Sequence, residues 1–198
     1  MIAVVDYRAG NLTSVMKALD HLGVNAVVTR DPEVVATADK IILPGVGHFS
    51  GTAILEKTGL RAAIMRRIEQ GAPFLGICVG MQWMFESSEE APASRGLGLF
   101  SGACERFPEN VKSPHVGWNS LTWQNGSRLF QGVPSGAYMY FTHSYRAPVV
   151  AASVARCEYG GEFCAAVEQG NLFGVQFHPE KSGATGLKLL ENFCRLSC

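Results

Sequence analysis

The sequence lacks any excess of charge: its 198 residues carry 17 Lys plus Arg against 17 Asp plus Glu. Nucleic acids and anionic membranes are gripped through basic patches, and this balance leaves no footprint for either partner. Long apolar runs are absent too, and none approaches the ~20 residues that span a bilayer. The opening segment Met1-Ile2-Ala3-Val4-Val5-Asp6 turns acidic early, without the basic and apolar regions of a secretory signal. There are six cysteines, but no pair has the C-x-x-C spacing of a zinc or redox site. Neither a metal nor a cofactor is expected. Free thiols in a reducing compartment are the simpler reading, and a cytoplasmic location is expected.

What is present is apolar substance, 47% of the residues, enough for one substantial core. Residues 1–198 are expected to form a single domain. Ile2 to Val5 reads as a buried strand, and Leu12, Val15, Met16, Leu19 and Leu22 mark one face of a helix that Asn11 would cap. Extended structure is expected at 24–28, then a short helix opened by Asp31-Pro32. A third strand falls at 40–43, helix at 52–70 with a break near Gly59, a fourth strand at 73–77, and a helix beginning at 81–85. Strands alternating with helices imply a mostly parallel central sheet covered on both faces, an α/β fold in three layers. The second half has shorter apolar pieces between Pro, Ser, Gly and Asn clusters, so additional antiparallel strands are expected at 138–142, 149–156, 163–167 and 172–177. A closing helix runs over 183–196.

The chemistry centres on Gly76-Ile77-Cys78-Val79-Gly80, where a buried strand meets a helix. A side chain at that turn is pushed into a strained, exposed position, with glycines allowing the close backbone packing. The following helix N-terminus would favour a thiolate. The alternative is an inert, small apolar cysteine, and that reading is kept for Cys104, Cys157, Cys164, Cys194 and Cys198. A thiol needs a base with an orienting partner. In His178-Pro179-Glu180, two residues apart in extended chain, imidazole and carboxylate would project to one side and complete a Cys-His-Glu triad. Otherwise H-P-E is a surface turn. The Val79 N–H and the loop Pro44-Gly45-Val46-Gly47 are candidate donors to an oxyanion.

The sequence resembles the class I, triad-type glutamine amidotransferases through P-G-V-G at 44–47, G-I-C-V-G-M-Q at 76–82 and G-V-Q-F-H-P-E at 174–180. The resemblance runs from the first strand to the last helix. It implies that Cys78 attacks the carboxamide of glutamine, that His178 moves the proton and that Glu180 orients His178. It further implies an oxyanion hole at Val79, Val46 and Gly47, with Gln82, His143, Ser144 and Tyr145 lining the glutamine site. D-Y-R-A-G-N-L-T-S-V at 6–15, H-V-G-W-N at 115–119, Y-F-T-H-S-Y at 140–145 and K-S at 181–182 are similar to one branch of that family. There a glutaminase subunit forms a heterodimer with a (β/α)₈-barrel cyclase subunit of histidine biosynthesis. By that resemblance Asn11, Trp118, Tyr138 and Lys181 lie near the interface. From the residues alone, Trp118 and Tyr138 could equally be core aromatics and Lys181 a solvated charge. Another thiol hydrolase on the same scaffold, such as a γ-glutamyl hydrolase or peptidase, is the alternative activity.

Overall fold

Ile2–Val5 forms β1 and is buried at every position, as a parallel strand covered on both faces must be. The computed structural model describes residues 1–123, 126–134 and 136–197, so Cys198 lies outside the described residues. After β1 come α1 (Leu12–His21), β2 (Ala26–Thr29), α2 (Pro32–Thr37) and β3 (Lys40–Gly45). Asp31 caps α2, accepting the Glu33 N–H at 2.9 Å, with Pro32 in the first turn. The helical stretch that follows divides into α3 (Ala53–Lys57) and α4 (Leu60–Glu69). Gly59 separates them at φ 77°, a left-handed conformation that glycine adopts freely. Next are β4 (Phe74–Cys78) and α5 (Val79–Gln82).

The second half supplies β5 (Phe85–Ser88), β6 (Phe100–Arg106), β7 (His115–Ser120), β8 (Thr122–Trp123), β9 (Tyr138–His143) and β10 (Tyr145–Arg146). The last elements are β11 (Ser153–Glu158), β12 (Glu162–Gln169), β13 (Leu172–Val175) and α6 (Gly183–Cys194). Among the described residues the main sheet has the order β2-β1-β3-β4-β13-β12-β11-β8. It is parallel from β2 through β13 and antiparallel beyond. Right-handed crossovers put α1 on one face and α2 to α4 on the other, which gives three layers. Consistently, α1 packs with α6 and α2 with α4. Two small sheets, β10-β6-β5 and β7-β9, stand beside the main one. No helix among the described residues is long and apolar enough to cross a membrane.

Two expectations need correction. The helix after β4 spans only Val79–Gln82, because the chain turns at Trp83 and Met84 to enter β5, which pairs with β6. Four residues build little macrodipole, so the helix cannot be the main support of a thiolate. Residues 149–152 are not strand: Ser153 N–H bonds the Val150 carbonyl, and Ser153 Oγ takes the Val150 N–H, closing a turn before β11.

Candidate active site

Cys78 ends β4 at φ 54° and ψ −109°. Among the described residues only Arg8 shares a positive φ without being glycine. A non-glycine residue held there signals strain imposed by its surroundings. The surroundings are visible in the flanking glycines. A Cβ on Gly80 would lie 2.0 Å from the Leu43 carbonyl oxygen, and one on Gly76 would lie 2.5 Å from the Gly80 oxygen. The G-x-C-x-G pattern lets β3, β4 and α5 close on one another around the cysteine, which at 3% exposure is buried against a small cavity rather than in the exposed position expected.

His178 and Glu180 follow β13, the strand parallel to β4 on its other side. His178 Nδ1 is 2.9 Å from Glu180 Oε1, and both side chains are 1% exposed. The pairing arises differently from the extended geometry expected. Pro179 opens a 3-10 turn over Pro179–Lys181, and that turn brings the carboxylate back to the ring. His178 Nε2 is buried without a hydrogen bond of normal geometry. Burial opposes a charged imidazole there, but Cys78 and Glu180 on its two edges outweigh it and raise the pKa. Asn11 occupies the N-cap position of α1 but caps nothing. Its Nδ2 donates instead to Glu180 Oε1 at 3.3 Å.

Cys78 opens onto a cavity of about 120 Å³ lined by Val46, Gly47, Val79, Gln82, Glu90, Thr142, His143, Ser144 and Tyr145. Every residue expected at the oxyanion hole and the glutamine site is in that lining. Gln82 Nε2 donates to the Tyr145 carbonyl at 2.8 Å, and His143 Nδ1 reaches the same carbonyl at 2.8 Å. A larger cleft lined by Glu56, Arg61 and Trp83 holds neither a cysteine nor a histidine.

The site has neighbours that the sequence did not reveal, Glu90 and Tyr7 among them. Glu90 is fixed in the lining by accepting the Phe49 N–H at 2.7 Å. Nothing in Ser87-Ser88-Glu89-Glu90 distinguishes it from Glu89, because only the fold decides which carboxylate turns inward. Tyr7 is buried with an unbonded hydroxyl, and burial together with nearby Cys78 pushes its pKa up.

Of the residues expected at an interface, Trp118 is 55% and Tyr138 58% exposed, beside Val116 at 56%. They are not core aromatics. Strict alternation along β7 and β9 turns them away from the side that carries buried Met139 and Phe141. Lys181 is also exposed, its ammonium 5.8 Å from the Tyr140 ring centre. The exposed pair of strands is tied to the site, since the His178 N–H donates to the Tyr140 carbonyl at 2.9 Å.

A strained cysteine at a strand-to-helix turn, with a buried histidine–carboxylate pair across the parallel sheet, is the apparatus of a thiol-dependent acyl transfer. Residues 3–196 match the family model described as glutamine amidotransferase class-I, and the chain belongs to that family. It is similar to the imidazole glycerol phosphate synthase subunit HisH of Moorella thermoacetica, 48% identical over 201 residues, covering 98% of this chain and 94% of the relative. The same subunit of Thermococcus kodakarensis is 48% identical over 203 residues, covering 99% and 100%. Within the family, then, the chain falls among the HisH subunits. A crystal structure of a glutamine amidotransferase aligns with TM-score 0.76 and 21% identity over 98% of this chain and 99% of the other. PurLQS from Thermotoga maritima aligns with TM-score 0.73 and 24% identity over 97% and 96%. These two share the fold.

Proposed function

We propose that this chain is the glutaminase of imidazole glycerol phosphate synthase, with Cys78, His178 and Glu180 as its catalytic triad. The observation that carries the reading is the strained backbone of Cys78 at the floor of a cavity, facing the buried His178–Glu180 pair. The thiol proton passes to His178 Nε2 as sulfur attacks the carboxamide carbon of glutamine. The oxyanion that forms is met by the Val79 N–H and by the loop at Val46 and Gly47. His178 then protonates the departing ammonia, and water cleaves the thioester to give glutamate. Glu180 keeps the imidazole oriented and favours its charged form. Gln82, His143, Ser144 and Tyr145 hold the substrate, with Glu90 receiving its α-ammonium group, since a carboxylate in the lining suits a cation.

The ammonia passes to a cyclase subunit, a (β/α)₈ barrel in a heterodimer. There it forms imidazole glycerol phosphate and aminoimidazole carboxamide ribonucleotide in histidine biosynthesis. The exposed face bearing Trp118 and Tyr138, with Asn11 and Lys181 nearby, supports docking of that partner. Residues 1–198 act as one domain in the cytoplasm. Glutamate release is measured with and without the cyclase subunit and its nucleotide ligand. Strong stimulation and complete loss in Cys78→Ala are expected. Activity that survives Cys78→Ala removes the nucleophile, and indifference to the cyclase removes the partner.

A further inference from the structure

Gln176 is fully buried just beyond β13 and takes no part in the steps above. In the parallel register Val175 lies beside Ile77, so Gln176 falls beside Cys78. Its Nε2 is 3.6 Å from Cys78 Sγ. Which end of an amide faces a neighbour must be decided from the bonding around it, and here the bonding leaves no choice. The Tyr145 carbonyl can only accept. It faces Gln82 Nε2 and His143 Nδ1, each at 2.8 Å, so both are donors. The same Gln82 nitrogen is 3.1 Å from Gln176 Oε1, which must accept. The nitrogen of Gln176 is thereby left to donate to the sulfur. Turning over either amide would set donor against donor or oxygen against oxygen.

The arrangement is also pinned from the other side. With Nδ1 donating, His143 Nε2 accepts from His115 Nδ1 at 3.1 Å, and His115 Nε2 accepts from Asn119 at 3.4 Å. Burial lowers the pKa of both histidines and keeps them neutral. A file of neutral, singly oriented groups thus runs from β7 to the sulfur.

We propose that Gln176 is a further catalytic residue, an N–H donor that stabilises and aims the Cys78 thiolate, with Gln82 and His143 as its positioning residues. The proposal rests on the reading of Cys78 as nucleophile. When the thiol proton moves to His178 Nε2, the electron pair stays on sulfur, and an N–H bond to that anion is stronger than one to the neutral thiol. It supplies the anion stabilisation that the four-residue α5 cannot. The titratable groups facing Cys78 are His178 after β13, Tyr7 after β1 and Cys104 on β6. Glu180 stands behind His178, and Glu90 and His143 line the same cavity. Tyr7 and Cys104 are both pushed upward by burial, so both stay neutral.

Alkylation of Cys78 by iodoacetamide, located by mass spectrometry and followed against pH, reads the thiolate without glutamine or a partner. Gln176→Met and Gln176→Glu should each shift the profile to higher pH, with about tenfold slower alkylation below the midpoint, equivalent to one pKa unit. A folded variant, judged by its thermal unfolding, whose profile superimposes on the parent overturns the proposal. In the unaltered ¹⁵N-labelled protein, the Gln176 side-chain amide resonance should move with the midpoint of alkylation. A resonance that stays fixed overturns it equally, whether or not the variants fold. Glutamate release by Cys78→Ala is a separate result: it would remove the nucleophile while leaving the Gln176 contact to be judged by the resonance.

Discussion

Replacing Gly80 by alanine tests the claim that close backbone packing creates the nucleophile turn. The new methyl carbon would stand 2.0 Å from the Leu43 carbonyl oxygen, 3.1 Å from its carbon and 3.4 Å from Leu43 Cγ. Leu43 lies in the middle of the sheet, paired with Gly76 of β4, so its carbonyl cannot swing aside as a flexible side chain would. Relief requires α5 to move away from β3 by roughly 1 Å, a displacement that at a reacting atom costs on the order of 10²-fold in rate. Overpacking of this kind costs about 1–3 kcal/mol. For a chain of this length each kcal/mol lowers the melting temperature by about 2–4 °C, so a fall of roughly 2–12 °C is expected. Calorimetric unfolding measures the first effect, and glutamate release in the presence of the cyclase subunit the second. Gly51→Ala is the control, because its added carbon would meet only Ala9 Cβ, at 3.9 Å. A Gly80→Ala protein that melts within a degree of the parent and keeps full activity would refute the packing argument.

Glu90→Gln should raise KM for glutamine about tenfold or more with a smaller change in kcat, because it removes a charge from the substrate lining while keeping the shape; an unchanged KM sinks that role. Trp118→Ala, at a half-exposed position, should leave stability within about 0.5 kcal/mol yet weaken binding of the cyclase about tenfold or more by calorimetric titration. Equal affinity of parent and variant would remove Trp118 from the interface. Acid should destabilise the fold in a defined window. Burial lowers the His143 pKa from 6.5 to about 3, so below pH 6.5 the unfolded chain takes up a proton that the folded chain refuses. Stability from this group is complete above pH 6.5 and is lost as pH falls toward 3, by up to about 1.4 kcal/mol per unit. His178 acts in the opposite direction: its raised pKa makes its contribution full only below about pH 6.5 and lost as pH rises, so it offsets part of the decline near pH 7 and little of it further down. Melting temperatures between pH 7 and 5.5 should therefore decline, and less steeply in His143→Asn; identical slopes would contradict the assignment.

Much of the candidate site was legible because the chemistry proposed for it is carried by short motifs at fixed places in the chain. Cys78 between two glycines and His178 two residues before Glu180 are local patterns, and each came with a mechanical reason. The errors were also local in cause. A run of apolar residues after Gly80 suits a helix or a buried strand, and pairing of β5 with β6 decided for the strand after one helical turn. Asn11 is a good cap by residue type, yet the packing of α1 against the turn at 179–181 gives it a carboxylate partner instead. Glu90 was invisible because adjacent carboxylates carry no mark of which one a distant backbone N–H will capture.

The sequence by itself determined the alternation of strand and helix, the parallel pairing of the first four strands and the candidates for nucleophile and base. Those follow from hydrophobic periodicity and from backbone freedoms that a few residues express. Only the tertiary structure decided how far the helix after Cys78 extends, which aromatics face outward, and which polar atoms meet across the sheet. Such matters depend on strand register and on the direction of each hydrogen bond. A donor at residue 176 and a sulfur at residue 78 become neighbours only when β13 is laid beside β4.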